Sequence, residues 1–334
     1  MILLLGATGY IGQAFASELQ RRGCCFIPLT RKAFDYTSFN LLFDYVRKMK
    51  PEFVINAAGY SGRPNIDACE EDRMETLQAN VLLPQTVVRA CQMTNTPWGQ
   101  ISSGSIYSGA KVFEAGELRI EKDLNRLEVR RHFEEHSDQF LGFTELDEPN
   151  FSFRSGPCSF YSGTKALAEE SIRGGMGFIW RLRIPFNGRD EPRNLLSKLQ
   201  RYSKIHDCVN SLSQLEDSVR ACLDLIAARA PYGIYNINNP GAVTTRQVVE
   251  MIQRILKPDR GFDYWLDDDE FYRSGAKARR SSCILSASKL LQTGVKIRCV
   301  KEALEDSLER WQPGLAANRW TGPRSESLMS FRSD

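Results

Sequence analysis

The chain has 334 residues, 42% hydrophobic and 25% charged, with a formal net charge of +3. That length suits one full α/β domain plus a smaller lobe, at roughly 100–200 residues per domain, and so small a charge gives no bulk attraction for nucleic acid or an anionic membrane. Three histidines and nine scattered cysteines without a C-x-x-C pair argue against a metal site and for free thiols in a reducing cytoplasm.

The apolar run at residues 2–5 reads as a buried parallel strand. Its glycine-broken continuation, with no basic segment, is not a secretory leader. No apolar run reaches the ~18 residues that a membrane span needs. Gly6 to Gly12 turn the chain into a helix over 11–22, ended by Gly23. A second strand follows at 24–29, in which Cys24 and Cys25 point to opposite faces. An amphipathic helix at 39–49 stops at Pro51, and 53–56 is a third strand. Residues 71–95 are mainly helical, with Pro84 as an interruption. A strand at 98–102, a helix at 161–173 and a strand at 177–183 continue the alternation, which predicts an α/β fold with a doubly wound parallel sheet.

Between 108 and 160 the pattern breaks. Residues 117–139 are densely charged with mixed signs and read either as a solvated helix or as a flexible excursion. Further on, 195–202 reads as a helix, 233–237 as a strand, 245–256 as a helix capped by Thr244 or Thr245, and 302–311 as the last helix. Trp265 and the aspartates 267–269 read as a surface turn. The tail from Pro313 is polar and reads as loose. The expected division is a dinucleotide domain over 1–185, with strands from about 205–240, and a substrate lobe over 186–330.

Gly6, Gly9 and Gly12 stand between a strand and a helix. The first permits a tight turn, the second lets backbone approach a pyrophosphate, and the third lets helix and strand pack closely. Thr8, Tyr10 and Ile11 complete this turn, whose helix N-terminus favours an anion. At the end of the second strand, Arg31 precedes any acid, the first being Asp35. An arginine there accepts a 2′-phosphate, so NADPH (NADP+) is expected over NAD(H).

Tyr161 and Lys165 form Tyr-x-x-x-Lys on one helix face. A phenol titrates near ~10, and the ammonium is expected to lower it so that Tyr161 protonates a carbonyl oxygen while hydride reaches its carbon. Ser103 or Ser102, at a strand end, would polarise the same oxygen. Arg63, Asn65, Arg193 and Asn194 are candidates for a sugar diphosphate, the alternative being turn and loop chemistry. Cys69 reads as a packed side chain, and His132/His136 as a solvated helix face.

With Asn56-Ala57-Ala58-Gly59 and Asn80, these residues make the chain resemble the extended short-chain dehydrogenase/reductase family. Gly62-Arg63-Pro64-Asn65 and Pro192-Arg193-Asn194 resemble its nucleotide-sugar branch, in particular the reductases and epimerase/reductases of rhamnose-type sugars. The resemblance implies a Rossmann-type fold with a smaller C-terminal α/β substrate lobe, a homodimer, and cofactor roles for Ala57, Ala58, Gly59 and Asn80. It implies reduction of the 4-keto group of a nucleoside-diphosphate 4-keto-6-deoxy-hexose. In that branch a cysteine and a lysine epimerise C3 and C5. The lysine matches Lys198, but the cysteine position holds Ser105, a far weaker acid. The same window resembles sugar 4-epimerases, which retain NAD. A non-catalytic NADP(H) sensor of the same fold is the reading from another class.

Overall fold

The structure, a computed structural model, describes residues 1–313. The expected loose tail, apart from Pro313, lies outside the described residues. In chain order the first half comprises β1 (Ile2–Leu5), α1 (Tyr10–Arg21), β2 (Phe26–Leu29), α2 (Phe39–Met49), β3 (Phe53–Asn56), α3 (Ala68–Glu71), α4 (Arg73–Leu77), α5 (Leu83–Met93) and β4 (Trp98–Ser103). Then come β5 (Ala110–Glu114), β6 (Glu117–Glu121), α6 (Leu127–Glu135), β7 (Phe140–Leu141), α7 (Phe160–Ile172) and β8 (Gly177–Leu182).

Six strands form one parallel sheet in the order 233–237, β8, β4, β3, β1, β2. The chain leaves β1 for β2 on one side and crosses back to β3 on the other. That reversal opens a crevice at the strands' carboxyl ends, where open α/β sheets bind ligands. This is a Rossmann-type, doubly wound α/β fold. One face of the sheet packs Leu4, Phe15, Leu19 and Trp180 under α1, and the other packs Leu3, Leu42, Val87 and Trp98 under α2 and α5.

Two glycines hold β4 and β8 together. Trp98 pairs in register with Gly177, and a Cβ on Gly177 would lie 2.0 Å from the Trp98 ring. A Cβ on Gly99 would lie 2.1 Å from the Trp180 ring. Each indole thus occupies space that the neighbouring strand vacates, and glycine inside a strand marks such close approach.

Several elements differ from expectation. Cys24 and Cys25 lie just before β2, not within it. The irregularity in the long helical segment is a π-turn at Gln78–Leu82, and Pro84 falls in the first turn of the helix after it, where a missing N–H breaks no ladder. The charged stretch is a β5–β6 hairpin followed by α6, with β7 pairing to β5. It encloses its own small core of Val112, Val129, Phe133 and Phe140. Asp267 caps a helix at Asp268–Ser274 instead of ending in a bare turn. Thr244, not Thr245, caps the helix Thr245–Leu256, in a capping box with Gln247. In the C-terminal part, Phe186, Leu196, Leu199, Ile252, Leu304 and Leu308 build a further core among the helices Leu195–Arg201, Thr245–Leu256 and Val300–Glu309.

Candidate active site

The β1–α1 turn is built by exclusion. Gly6 has φ +74°, and a Cβ there would sit 2.6 Å from the Ala58 amide nitrogen. A Cβ on Gly12 would sit 2.0 Å from the Gly6 carbonyl oxygen, whereas one on Gly9 would meet nothing closer than 3.3 Å. Gly6 and Gly12 are therefore required by packing, while exposed Gly9 and Thr8 face open space. Gly9 caps α1 without a side-chain hydrogen bond, so the first amides of the helix stay free for an anion. Tyr10 turns inward, its hydroxyl buried without a partner. Ile11 packs against the core under α1. These features fit a dinucleotide pyrophosphate.

Arg31 is exposed at the end of β2 and pairs with Glu75 at 3.1 Å. Asp35 is spent on Thr37, whose amide and hydroxyl it accepts. The Asp35 carboxylate makes no ion pair with Arg31, although the Arg31 charge helps to lower its pKa. The exposed pair with Glu75 is worth only about 0–1 kcal/mol, so a ligand phosphate can displace it.

The loop after β3 joins this turn to α7. The Ala57 amide donates to Leu5 O at 3.1 Å and the Ala58 amide to Asn56 Oδ1 at 3.1 Å. Asn80, in the π-turn, accepts from the Tyr60 amide at 2.9 Å and donates to the Tyr60 carbonyl at 2.8 Å. It also approaches Thr164 of α7 at 3.4 Å. Asn80 is thus a clamp on backbone. π-turns often sit at functional sites, and this one brings Asn80 under the loop. A Cβ on Gly59 would lie 3.8 Å from Lys165 Nζ, which places that ammonium beside the loop.

Helix α7 is fixed at its start. Ser159 accepts from the Ser162 amide at 3.1 Å, and Glu70 Oε1 accepts from the Phe160 amide at 2.7 Å. Lys165 donates to Ile101 O at 3.1 Å. Burial lowers its pKa to about 8, against the pull of Glu169. Tyr161 behaves differently from expectation. Burial raises its pKa, and the groups that pull it down are a hydrogen bond with Ser103 and the charges of Arg183 and Arg193, with Lys165 not among them. Ser103 Oγ lies 2.9 Å from Ser105 Oγ, so three hydroxyls, Tyr161, Ser103 and Ser105, form a line. Ser102 points away and donates to Glu169 at 2.5 Å; of the two serines, only Ser103 faces the phenol.

Positive charge gathers on the substrate side. Arg193 donates to Ser61 Oγ at 2.9 Å, and its pKa is lowered by burial and by Arg63. Burial also lowers Lys198, with Arg193 and Arg280 adding to the effect. Arg280 is tied to Asp67 at 2.8 Å. Two candidates are otherwise employed. Asn65 accepts from the Asp67 amide at 2.8 Å, closing a turn. Asn194 is fully buried; it accepts from the Leu196 amide and donates to Asn187 and Arg189 carbonyls, leaving nothing for a diphosphate.

The sequence reading missed Arg280, Arg183 and Glu169. Arg181 and Arg183 are two apart at the end of an otherwise apolar strand, and that spacing, which aims both to one face, was the available signal. Arg181 is fully buried and paired with Glu169 at 2.7 Å, and it donates to Tyr107 at 2.9 Å. Arg183 is 4% exposed and, among the described residues, its side chain bonds only neutral groups, Asn210 and the Ser281 carbonyl. Among the described residues no cluster of three His, Cys, Asp or Glu side chains could hold a metal ion.

Residues 1–128 match the family described as RmlD substrate binding domain. The chain is 28% identical over 304 residues to a bifunctional dTDP-4-dehydrorhamnose 3,5-epimerase/dTDP-4-dehydrorhamnose reductase of Arabidopsis thaliana, covering 90% of both chains. It is 30% identical over 304 residues to a trifunctional UDP-glucose 4,6-dehydratase/UDP-4-keto-6-deoxy-D-glucose 3,5-epimerase/UDP-4-keto-L-rhamnose-reductase of the same plant. There it covers 90% of this chain but only 41% of that relative's length. In fold it is similar to the L780 UDP-rhamnose synthase of Acanthamoeba polyphaga mimivirus, with a TM-score of 0.77 at 22% identity over 92% of this chain and 98% of that one.

Proposed function

We propose that the chain is a member of the nucleotide-sugar branch of the extended short-chain dehydrogenase/reductase family and that it reduces the 4-keto group of a nucleoside-diphosphate 4-keto-6-deoxy-hexose with NADPH, a step of rhamnose-type sugar synthesis. The observation that carries this reading is the run of hydroxyls from Tyr161 of α7 through Ser103 at the end of β4 to Ser105, with the charges of Arg183 and Arg193 acting on the phenol and Lys165 of the same helix beside the loop after β3.

The free amides at Tyr10–Gly12 would hold the pyrophosphate, Arg31 the 2′-phosphate, and Lys165 the ribose. The bound nicotinamide would supply the hydride. Tyr161 donates its proton to the keto oxygen. Ser103 donates to the same oxygen and passes charge along to Ser105. Arg63, Arg193 and Arg280 face the diphosphate, and Lys198 holds the sugar side. The raised phenol pKa suits this direction, because Tyr161 must be protonated to act as an acid.

Epimerisation at C3 and C5 is not part of the proposal, since Ser105 stands where the branch keeps a thiol and a hydroxyl is a poor base toward a carbon-bound proton. The relatives' names extend to UDP- and dTDP-sugars, and both are candidate substrates. The reading includes a homodimer along α5 and α7, where Met93 and Leu167, with Leu82 of the π-turn before α5, are exposed, and a cytoplasmic location. Among the described residues no helix is long and apolar enough to cross a membrane.

The test is incubation of the full chain with NADPH and a panel of UDP-, dTDP-, GDP- and CDP-4-keto-6-deoxy sugars. Loss of NADPH absorbance and product stereochemistry by NMR are the readouts. Oxidation of NADPH by one member, abolished in Tyr161→Phe, supports the reading. A panel that leaves NADPH untouched, or NAD retained through purification, overturns it in favour of an epimerase or a sensor.

A further inference from the structure

The crevice at the carboxyl ends of the strands has two rims. In the strand order β3, β1, β2 the glycine turn leaves the end of β1 between them. The β2 rim carries Arg31, in a turn closed by the Ala33 and Phe34 amides, which donate to Thr30 O at 3.1 and 2.9 Å. The β3 rim carries Glu75 on α4. That helix is tied to the loop after β3 through Asp72: the Tyr60 hydroxyl donates to Asp72 Oδ2 at 2.6 Å, and the Thr76 amide to Asp72 O at 2.9 Å. Arg31 Nη1 donates to Glu75 Oε1 at 3.1 Å, across 44 residues of sequence. One ion pair thus joins the two rims, beside the turn where a dinucleotide would lie.

We propose that Glu75 is a specificity-determining residue for the coenzyme: it competes with a 2′-phosphate for Arg31 and so narrows the preference for NADP(H) over NAD(H). The inference rests on the coenzyme reading above. It adds to that reading a residue that lowers the affinity for the phosphate where Arg31 raises it.

The argument is one of charge and position. The Arg31 and Glu75 side chains are 59% and 40% exposed, so a ligand reaches both. A phosphate monoester carries about −1.5 to −2 charge at pH 7. To bond Arg31 it has to displace the Glu75 carboxylate. It then lies beside that carboxylate, because α4 keeps Glu75 on its rim. Lost attraction and like-charge repulsion both act against the phosphate. NAD+ presents a neutral hydroxyl at the same place and leaves the ion pair intact. The neighbouring charges play no such part: Asp35 accepts from the Thr37 amide and hydroxyl, and Lys32 is an exposed cation on the same turn as Arg31.

Two other roles for Glu75 give different signs. A carboxylate that oriented Arg31 for the phosphate would help NADP(H), and its loss would weaken binding. A carboxylate that only steadied the surface would act on both coenzymes alike. Competition alone predicts a gain confined to ligands with the 2′-phosphate. An exposed pair of this kind corresponds to a factor of about two to five in an equilibrium constant.

The test is isothermal titration of the full chain, without sugar, with NADP+, NAD+ and 2′,5′-ADP. Expected for Glu75→Gln is tighter binding of NADP+ and 2′,5′-ADP by about two- to fivefold, with NAD+ unchanged. The gain shrinks when salt is raised from about 0.02 M to about 0.5 M, because attraction and repulsion are both screened. Glu75→Ala gives the same pattern, which excludes a new hydrogen bond from the glutamine amide as its source. A loss of NADP+ affinity, a gain shared equally by NAD+, or no change in either variant overturns the proposal and leaves the coenzyme reading standing. Failure of NADP+ and 2′,5′-ADP to bind the parent chain overturns both.

Discussion

The nucleotide turn and the floor beneath Tyr161 are adjacent but are held by different forces. The turn is steric and made of backbone: Gly6 and Gly12 leave room that no side chain can fill, and no charge is buried there. The floor is electrostatic and made of side chains. Arg181 in β8 and Arg183 just past its end are both buried, yet among the described residues one has a carboxylate partner and the other has none. A buried charge is expensive unless paired, so Arg181 with Glu169 serves as structure. Arg183, lacking such a partner and acting on Tyr161, places a positive charge at the reacting phenol. One region fails through shape and the other through charge.

The largest expected break is chemical. Tyr161→Phe removes the proton donor and lowers kcat by about 10²–10⁴-fold, with NADPH affinity, read by fluorescence titration, unchanged. Unchanged turnover would remove the phenol from the mechanism. Next, Arg181→Met removes the ion-pair partner of buried Glu169 and destabilises by about 3–5 kcal/mol, measured by urea unfolding. Arg183→Met strands no carboxylate and is expected to unfold near the parent's midpoint. Its effect is on pH: without that cation the Tyr161 phenol rises further, so the alkaline limb of kcat, where the acid is lost, moves to higher pH. A limb that stays in place would refute the contrast between the two arginines.

On the steric side, Gly12→Ala is expected to abolish NADPH binding, because its Cβ meets backbone at 2.0 Å, while Gly9→Ala, at 3.3 Å, weakens binding only modestly. Isothermal titration ranks the two, and equal losses would show that the turn is not held by packing. The smallest effect concerns His206, whose Nε2 lies 2.7 Å from Asp268 Oδ1. Its folded pKa, about 9 against an ordinary 6.5, gives a stabilisation that is complete below pH 6.5 and is lost as pH rises through 9. Asp268→Asn is expected to flatten that decline and to lower the unfolding temperature at pH 7 by a few degrees, about 2–4 °C per kcal/mol.

The same division decides what could be read from the chain. Gly6, Gly9 and Gly12 are legible because they fall within seven consecutive residues between a strand and a helix, although the backbone that Gly6 makes room for is that of Ala58, far along the chain. Tyr161 and Lys165 are legible as partners on one helix face. Even so, Lys165 lies on Ile101 O, and the charges that act on Tyr161 come from Arg183 and Arg193, elsewhere in sequence. Arg280 meets Asp67 across 213 residues, and no spacing announces such a contact. The charged stretch at 117–139 holds the expected solvated helix as α6, but its first part, strand β6, escapes the reading for another reason. Glu117, Arg119 and Glu121 alternate with Leu118 and Ile120, a two-residue period, but strand β6 is exposed on nearly all its positions, so burial gave the alternation no apolar face to display.

The reciprocal insertion of Trp98 and Trp180 over neighbouring glycines gives the molecule optical reporters on opposite sides of one sheet. Both indole nitrogens are buried without hydrogen bonds, so their emission belongs at short wavelength and moves to the red once water arrives. With Trp265, Trp311 and Trp320 replaced by phenylalanine, removing either of the two would leave the other to signal when its own helical layer lifts away, and the two layers could then be timed separately during unfolding.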